Sequence, residues 1–373
     1  MLQVFCAPQR YVQGRNATQA LPKEMARLGL GGPAFLIAGS TPRRLLEPVW
    51  QSAFGSLGLA FSVVDFGGEC SRAEIARRVG EVRAAAAATV IGVGGGKVLD
   101  TARAVAAEVG VPVVCCPTTA ASDAPCSALS VVYSPEGVFE SCVFYRRNPD
   151  LVLVDTSVIA KAPVRTLIAG MGDALATRFE AEASRAAFSP NQVGGLSTLA
   201  AAALAELCYR TLLADGRAAV AAVEQGAVTP AVERIIEANT LLSGLGFESG
   251  GLALAHAVHN GLTVLAETHQ RLHGEKVAFG TLVQLVLEGR SSDCINEVLD
   301  FCLDVGLPVT LEDLGLFDHS EPRLNAVALR VLQAGETSHH VAFSLDADQV
   351  QQALKAADAL GRARKLKRQG SKG

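Results

Sequence analysis

Three segments in the second half of the sequence carry ionisable side chains in unusually apolar surroundings. GMGDALATRFEAEA contains Asp173, LALAHAVHNGLTVL contains His256 and His259, and RLHGEKVAFG contains His273. His256 and His259 are three residues apart, so a helix would present both on one face. One carboxylate with two imidazoles is a donor set that suits a catalytic zinc or iron ion with open positions for a substrate.

Each of these residues also has an ordinary structural interpretation. We expect Asp173 at the start of a helix, where a carboxylate commonly acts as an N-cap. A histidine on an apolar helix face, such as His256, is more often a hydrogen-bonded core residue than a metal ligand. His259 could simply cover a helix surface, and His273 could begin a helix without any chemical role. Spacing alone therefore leaves both interpretations open.

A glycine triplet in the first third of the chain suggests a second kind of chemistry. The apolar run ATVIGV leads into Gly94, Gly95 and Gly96, and helical periodicity follows. Such a strand-to-helix turn suits a pyrophosphate, because glycines let the backbone approach closely and the helix N-terminus favours an anion. Lys97 and Asp100 follow in the first turn, where Asp100 could cap the helix or bond a ribose hydroxyl. The spacing matches neither GxGxxG nor a P-loop, so a tight turn without a ligand is an equal alternative.

The elements that would position these residues divide the chain into two parts. From AFLIAG to LVLVD, strand-like apolar runs alternate with helical patterns, which predicts an α/β fold with a parallel sheet covered by helices on both faces. Within this part, ALSVVYSPEGVFESCVFYR has a Pro-Glu-Gly turn signal and predicts an antiparallel hairpin. Helical periodicity dominates after LVLVD. We therefore predict an α/β domain over residues 1–163 and an all-helical domain over residues 164–373.

Length and composition exclude several classes of protein. Of 373 residues 49% are hydrophobic and 19% charged, which is typical of compact globular domains. The net charge of −4 gives no basic field for nucleic acid, and we expect the basic run at residues 362–373 to be a solvated, frayed end. The sequence predicts neither a membrane span nor a signal peptide. Nine irregularly spaced cysteines favour buried free thiols in a reducing compartment, so we expect a cytoplasmic protein.

Taken together, these segments resemble the iron-containing alcohol dehydrogenase superfamily and, within it, the glycerol dehydrogenases. The resemblance covers nearly the whole chain. It is carried by FGGECSRAEI, GVGGGKVLDTA, SDAPCSALSVVY, NPDLVLVD, ALAELCY, VTPAVERIIEANTLLSGLGFESGGLALAHAVHNGLT and HGEKVAFGTLVQLVLE. It implies a dehydroquinate synthase-like fold, with an N-terminal dinucleotide-binding domain, a C-terminal helical domain and an active site in the cleft between them. It also implies a homo-oligomer, with the octamer common among such proteins.

The resemblance further implies roles for individual residues. It carries the zinc ligands onto Asp173, His256 and His273, and it would place Asp123 against the substrate hydroxyls. The nicotinamide cofactor, NAD or NADP, would contact the glycine turn and the segments that follow it, namely Gly94, Gly95, Gly96, Lys97, Thr118, Ser127, Leu129 and Tyr133. The implied partner is a small polyol, with no part for nucleic acid or a membrane.

Two positions refine what the resemblance implies. Iron-dependent relatives usually carry a histidine four residues after the ligand aspartate, and Thr177 stands there in this chain, which favours a three-ligand zinc site. Glycerol dehydrogenases typically end the first strand with an aspartate that holds the adenosine ribose, whereas a gap-free match places Gly39 there. The missing carboxylate would no longer repel a 2′-phosphate, and Ser40, Thr41 and Arg43 could donate to one. We therefore expect NADP to be accepted as well as NAD.

The expected reaction is the reversible oxidation of a secondary hydroxyl next to another hydroxyl, such as glycerol to dihydroxyacetone, with zinc as a Lewis acid. One alternative is an NADPH-linked reductase of 2-oxoacids or aldehydes. Another is a lyase like dehydroquinate synthase, or a dehydrogenase of phosphorylated glycerol, although the three ligand segments offer few of the cations that those substrates need. A third is a non-enzymatic paralogue that binds metal or nucleotide, against which the intact ligand trio argues.

Overall fold

The computed structural model describes residues 1–370, and backbone contacts divide the chain into two compact units. The sheet unit comprises residues 6–163 and 222–244. The helical unit comprises residues 1–5, residues 164–221 and the chain from residue 245 onwards. This division differs in two short segments from the expected boundaries, residues 1–163 and 164–373.

Hydrogen bonds explain why residues 1–5 belong to the helical unit and residues 222–244 belong to the sheet unit. At the N-terminus, the N–H groups of Val4 and Leu196 donate to the carbonyls of Leu196 and Leu2, which ties residues 1–5 to the helical unit. In the segment 222–244, the Glu233 carbonyl accepts a hydrogen bond from the Gln13 amide at 2.9 Å. Contacts between residues that are distant in the sequence determine these boundaries, so local composition does not predict them.

A fully parallel, six-stranded sheet forms the centre of the sheet unit. Its strands are β1 (Tyr11–Gly14), β2 (Ala34–Ala38), β3 (Phe61–Asp65), β4 (Thr89–Gly94), β5 (Val113–Pro117) and β8 (Leu151–Asp155). Their spatial order is β1-β8-β5-β4-β2-β3. Strands β2, β4, β5 and β8 are buried throughout, as expected for a parallel sheet with both faces covered. Strand β1 has little signal in the sequence, because its four residues are only half-buried at the sheet edge.

Helices and one hairpin complete the sheet unit. The helices are α1 (Leu21–Arg27), α2 (Ser40–Gly55), α3 (Arg72–Ala84), α4 (Gly96–Val109), α5 (Thr156–Ile159) and α8 (Pro230–Glu237). Ser71 caps α3 by accepting a hydrogen bond from the Glu74 N–H at 3.2 Å. The predicted hairpin is confirmed: β6 (Leu129–Tyr133) and β7 (Phe139–Phe144) pair antiparallel.

The second half of the chain is helical, as predicted, and no strand follows Asp155 within residues 1–370. Its helices are α6 (Val164–Ala186), α7 (Leu199–Glu224), α9 (Ser243–Gly250), α10 (Leu254–Leu262), α11 (His273–Leu287), α12 (Ser292–Val305), α13 (Glu321–Val331) and α14 (Ala347–Gly370). Helix α11 packs against both α6 and α10. None of the described helices is long and apolar enough to cross a membrane.

The expectation of a frayed C-terminal end is wrong for residues 362–370, because α14 continues to Gly370. Arg364 Nε lies 2.8 Å from an Asp300 carboxylate oxygen, and Arg368 bonds both Asp300 and Asp304 at 3.2 and 2.7 Å. The two arginines are four residues apart and therefore face α12 together. The rest of the basic run, residues 371–373, lies outside the described residues.

Two glycines set the distance between α6 and α11. A Cβ atom on Gly274 would overlap the carbonyl of Ala169, and one on Gly172 would overlap the carbonyl of Gly274. The two backbones can therefore approach only because both positions lack a side chain. Asp173 and His273 are the immediate chain neighbours of these glycines, so the same approach sets the distance between two of the predicted metal ligands.

We expect Gly274→Ala to destabilise the protein by about 2–3 kcal/mol, because a buried methyl group would have to push α11 away from α6. Thermal unfolding followed by circular dichroism measures the loss. Gly80→Ala is the matched control: Gly80 lies inside α3 with open space around it, so alanine there should stabilise by roughly 0.5–1 kcal/mol. Equal unfolding midpoints for Gly274→Ala and the wild type would contradict the close approach.

Candidate metal centre and phosphate-binding turn

Asp173, His256 and His273 meet in the helical unit. The Nε2 atoms of His256 and His273 lie 3.3 and 3.0 Å from the same Oδ1 atom of Asp173. All three donor atoms lie within 4.8 Å of one another, so one metal ion can reach them all. The expectation that Asp173 starts a helix is wrong: it lies in the interior of α6, where the helix has no free N–H group for it to cap.

The electrostatics of the trio also fit a cation. Burial alone would raise the pKa of the Asp173 carboxyl, but the imidazoles of His273 and His256 hold that pKa well below its usual range. Burial alone would lower the pKa of His256, and the neighbouring carboxylates of Glu180 and Asp173 instead raise it well above its usual value. A fully buried carboxylate thus stays ionised because positive charge lies beside it. A metal ion can supply that charge in place of the imidazole protons.

Glu180, which the sequence analysis does not single out, orients His256. Its Oε2 atom lies 2.6 Å from His256 Nδ1, and its Oε1 atom accepts the N–H groups of Ala253 and His256 at 2.9 and 3.0 Å. A carboxylate behind a histidine fixes the ring tautomer and leaves Nε2 for a metal. A signal existed in the sequence, because Glu180 follows Asp173 by seven residues and so lies on the same face of α6.

His259 lies beside the trio without belonging to it. Its Nε2 atom is 3.0 Å from His273 Nδ1, and its Nδ1 atom is 3.0 Å from the amide oxygen of Asn260. Burial, together with the charges of His273 and Lys276, holds the pKa of His259 well below its usual value, so the ring is neutral at neutral pH. The interpretation of His259 as a mere surface residue is therefore wrong.

In the sheet unit, the glycine triplet forms the turn from β4 to α4. Gly94 ends the strand, Gly95 is the N-cap and Gly96 begins the helix. The first N–H groups of a helix have no partner inside it, and they point out of the turn. An added Cβ at Gly95 or Gly96 would meet no atom closer than 3.8 Å. The turn therefore has the open approach and the positive dipole end that a phosphate requires.

Three of the predicted cofactor residues lie near this turn. Lys97 Nζ is 2.6 Å from Glu69 Oε1 and 5.1 Å from the ring centre of Tyr133. The N–H of Thr118 donates to the Gly94 carbonyl at 3.1 Å, which links the ends of β4 and β5. Lys97 is 44% exposed, so its ammonium group can exchange Glu69 for a phosphate.

Three further residues near the turn, Ser127, Leu129 and Asp100, differ in their burial and contacts. Leu129 is half-buried on β6, but Ser127 is fully buried and its hydroxyl donates to the Ala124 carbonyl. Asp100 is buried in an ion pair with Arg103, so it is not available to a ribose hydroxyl. The structure therefore assigns Asp100 to the support of the turn and of the hairpin, whereas the cofactor contacts of Ser127 and Leu129 stay predictions.

At the end of β2, Gly39 is the N-cap of α2 and Ser40 is its first residue. Arg43, which the sequence analysis offers to a 2′-phosphate, is held by two carboxylates in the structure. Its Nη1 atom lies 2.9 Å from Asp65 Oδ2, and its Nε atom lies 3.1 Å from Glu47 Oε2. Because Asp65 ends β3, next to the end of β2, a carboxylate is present one strand away from Gly39.

Asp123 lies in the loop after β5 and is buried. Its Oδ2 atom accepts the hydroxyl of Ser243 at 2.8 Å. The nearby Asn239 amide donates to the Ala120 carbonyl at 3.0 Å, so two residues of the segment 222–244 fix this loop. Asp123 is consequently a well-positioned carboxylate within the sheet unit.

Comparisons with known proteins agree along the length of the chain. The sequence profile of the family described as iron-containing alcohol dehydrogenase matches residues 8–156. A glycerol dehydrogenase of Thermotoga maritima is 50% identical, over 98% of this chain and 99% of that protein. A glycolaldehyde reductase of Halobacterium salinarum is 49% identical, over 97% of this chain and 99% of that protein. The crystal structure of glycerol dehydrogenase from Schizosaccharomyces pombe matches with a TM-score of 0.93 at 37% identity, covering 98% of this chain and 92% of that one.

We expect Glu180→Gln to weaken metal binding about 10- to 100-fold, because an amide holds the His256 tautomer less firmly than a carboxylate does. Competition with a chromophoric zinc chelator gives the affinity. Glu182→Gln is the matched control, since Glu182 is a partly exposed glutamate on the same helix, paired with Arg178 and Arg290. If both variants bind zinc as the wild type does, Glu180 does not orient a ligand.

Proposed function

The chain belongs to the iron-containing alcohol dehydrogenase family, and from that premise we propose that it is an NAD-linked polyol dehydrogenase that reversibly oxidises glycerol to dihydroxyacetone. The observation that carries this proposal is the convergence of Asp173, His256 and His273 on one point, in a chain about half identical to glycerol dehydrogenases. The ordinary structural interpretations of the three residues do not explain this convergence.

The side chains of the trio would hold the metal ion beside which the substrate binds. When bound by the trio, a divalent ion supplies Lewis acidity to a substrate hydroxyl, and the nicotinamide supplies the hydride acceptor. Asp173 contributes negative charge, and Glu180 keeps Nε2 of His256 directed at the same point. The His273 side chain is 40% exposed, so a small polyol can reach the trio from that side. We assign Asp123 to bind a hydroxyl of the polyol.

The phosphate-binding turn supports the nucleotide part of the proposal. The pyrophosphate would lie against the N-terminus of α4 at Gly94, Gly95 and Gly96, with Lys97 as a cationic partner. Further contacts to the cofactor are assigned to Thr118, Leu129 and Tyr133, and through the backbone to Ser127.

We propose zinc as the metal. The position one turn after Asp173 is occupied by the buried Thr177, which supplies no imidazole, so the cluster found among the described residues has one carboxylate and two histidines. Three protein ligands with an open position is the usual arrangement of a catalytic zinc site.

For the cofactor we propose NAD in preference to NADP. Arg43 is already neutralised by Asp65, and Glu47 leaves one further negative charge in the group. A 2′-phosphate would meet this excess negative charge, whereas the ribose hydroxyls of NAD could donate to Asp65. Asp65 would thus replace the carboxylate that Gly39 lacks.

A second candidate activity is the reduction of a small hydroxyaldehyde. It rests on the glycolaldehyde reductase of Halobacterium salinarum, which is 49% identical to this chain. The same trio would serve it, because a Lewis acid also polarises a carbonyl oxygen. Steady-state rates with glycerol, glycolaldehyde and 2-oxoacids, each with both cofactors, decide between the two activities.

We expect chelation to abolish glycerol oxidation and zinc to restore it better than ferrous iron, because the trio lacks a further imidazole. His256→Ala should lower the bound metal and kcat together. Metal content by mass spectrometry and NADH formation are the two measurements. The control is His269→Ala, which removes an exposed histidine outside the trio. Full activity in metal-free protein would contradict the proposed metal role.

We expect kcat/KM to be at least about tenfold higher with NAD than with NADP, and Asp65→Asn to narrow this ratio roughly tenfold, since one charge-assisted contact is worth about 1.5–3 kcal/mol. Initial rates with both cofactors give the ratio. Glu47→Gln is the control, because it removes another carboxylate partner of the same arginine. If Glu47→Gln shifts the ratio as much as Asp65→Asn, net charge rather than the position of Asp65 selects the cofactor.

A further inference from the structure

A series of five hydrogen-bonded side chains runs from the proposed ligand His273 to Arg330 at the end of α13. His273 Nδ1 is 3.0 Å from His259 Nε2, and His259 Nδ1 is 3.0 Å from Asn260 Oδ1. The Asn260 amide nitrogen is 3.0 Å from Glu336 Oε2, and Glu336 forms an ion pair with Arg330. All five residues belong to the helical unit.

The residues at the two ends of this series of side chains fix the direction of every hydrogen bond between them. A metal held by the trio would use the lone pair of His273 Nε2, which would leave the proton on Nδ1 to be donated to His259 Nε2. His259 then carries its proton on Nδ1 and donates to the Asn260 oxygen. The Asn260 amide nitrogen can only donate, and the Glu336 carboxylate can only accept. Every donor therefore meets an acceptor, with the Arg330 charge at the far end.

The two histidine ligands differ in how they are held. The His256 side chain is 13% exposed and is oriented by the Glu180 carboxylate. The His273 side chain is 40% exposed, lies at the first position of α11, and has the ring of His259 at its Nδ1 atom. Packing restrains His273 less than His256, so its orientation depends more on a single hydrogen bond.

We infer that His259 is the positioning residue of His273, and that Asn260 and Glu336 set the tautomer of His259 in which Nε2 is free to accept. His259 would orient His273 as Glu180 orients His256, but it adds no further carboxylate near the ion. This inference rests on the proposed metal site and adds no ligand to it.

Cobalt binding to the full-length protein tests the inference without substrate or cofactor. His259→Phe keeps a ring of similar size but removes the acceptor, so we expect the Kd for Co²⁺ to rise about 10- to 100-fold and the visible absorption bands of bound Co²⁺ to change. Glu336→Gln should raise the Kd by a smaller factor, because the amide oxygen of the substituted side chain can still accept from Asn260. His269→Phe changes an exposed histidine outside this series, so it should leave the Kd and the absorption bands of Co²⁺ unchanged.

His259→Gln separates positioning from packing. Its amide oxygen can accept from His273 Nδ1, so we expect Co²⁺ affinity within a few-fold of the wild type, and a Kd as high as that of His259→Phe would overturn the inference. Unchanged Co²⁺ bands and affinity in His259→Phe would overturn it too, while leaving the proposed function intact. A wild-type protein that binds no Co²⁺ would overturn both.

Discussion

A carboxylate buried among packed helices needs positive charge beside it, and the helical unit is arranged around that need. Asp173 is fully buried in the interior of α6, where an uncompensated ion would cost several kcal/mol. The compensation comes from His256 on α10 and His273 on α11. Glycines at 172 and 274 let two of these helices come close enough for the contact. The packing of the helices and the choice of site residues therefore both serve to place positive charge beside the Asp173 carboxylate.

The supporting contacts differ in charge on the two sides of the trio. On one side, Glu180 lies behind His256, so two buried carboxylates can together neutralise a divalent ion. On the other side, His259 is neutral. The first carboxylate in its series of hydrogen bonds is that of Glu336, which is reached through Asn260. A site with no excess of negative charge lets the ion keep its Lewis acidity toward a substrate, which a dehydrogenase of this family requires.

The sheet unit handles anions by a different means. At the β4–α4 turn the proposed binding groups are backbone N–H groups, and the space in front of Gly95 and Gly96 is open. At the neighbouring strand ends the proposed selecting groups are side chains, where Arg43, Asp65 and Glu47 form a group with net negative charge. Under the proposed function, the turn would bind the pyrophosphate of either dinucleotide, and the group at the strand ends would discriminate between a ribose hydroxyl and a 2′-phosphate.

The sequence by itself determined the alternation of strands and helices, the hairpin, the glycine turn and the resemblance that selects Asp173, His256 and His273, because periodicity, turn residues and long motifs are local properties. Only the tertiary structure decided that Asp173 is interior rather than a cap, that Arg43 is paired with Asp65, and that the C-terminal arginines pair with α12. It also decided that Glu180 bonds His256 and that His259 bonds His273. Each of these depends on a partner distant in the chain: Glu180 is 76 residues from His256, and Arg364 is 64 from Asp300. A single sequence records which side chains can donate or accept, but their partners are fixed only when packing brings distant segments within about 3 Å of one another.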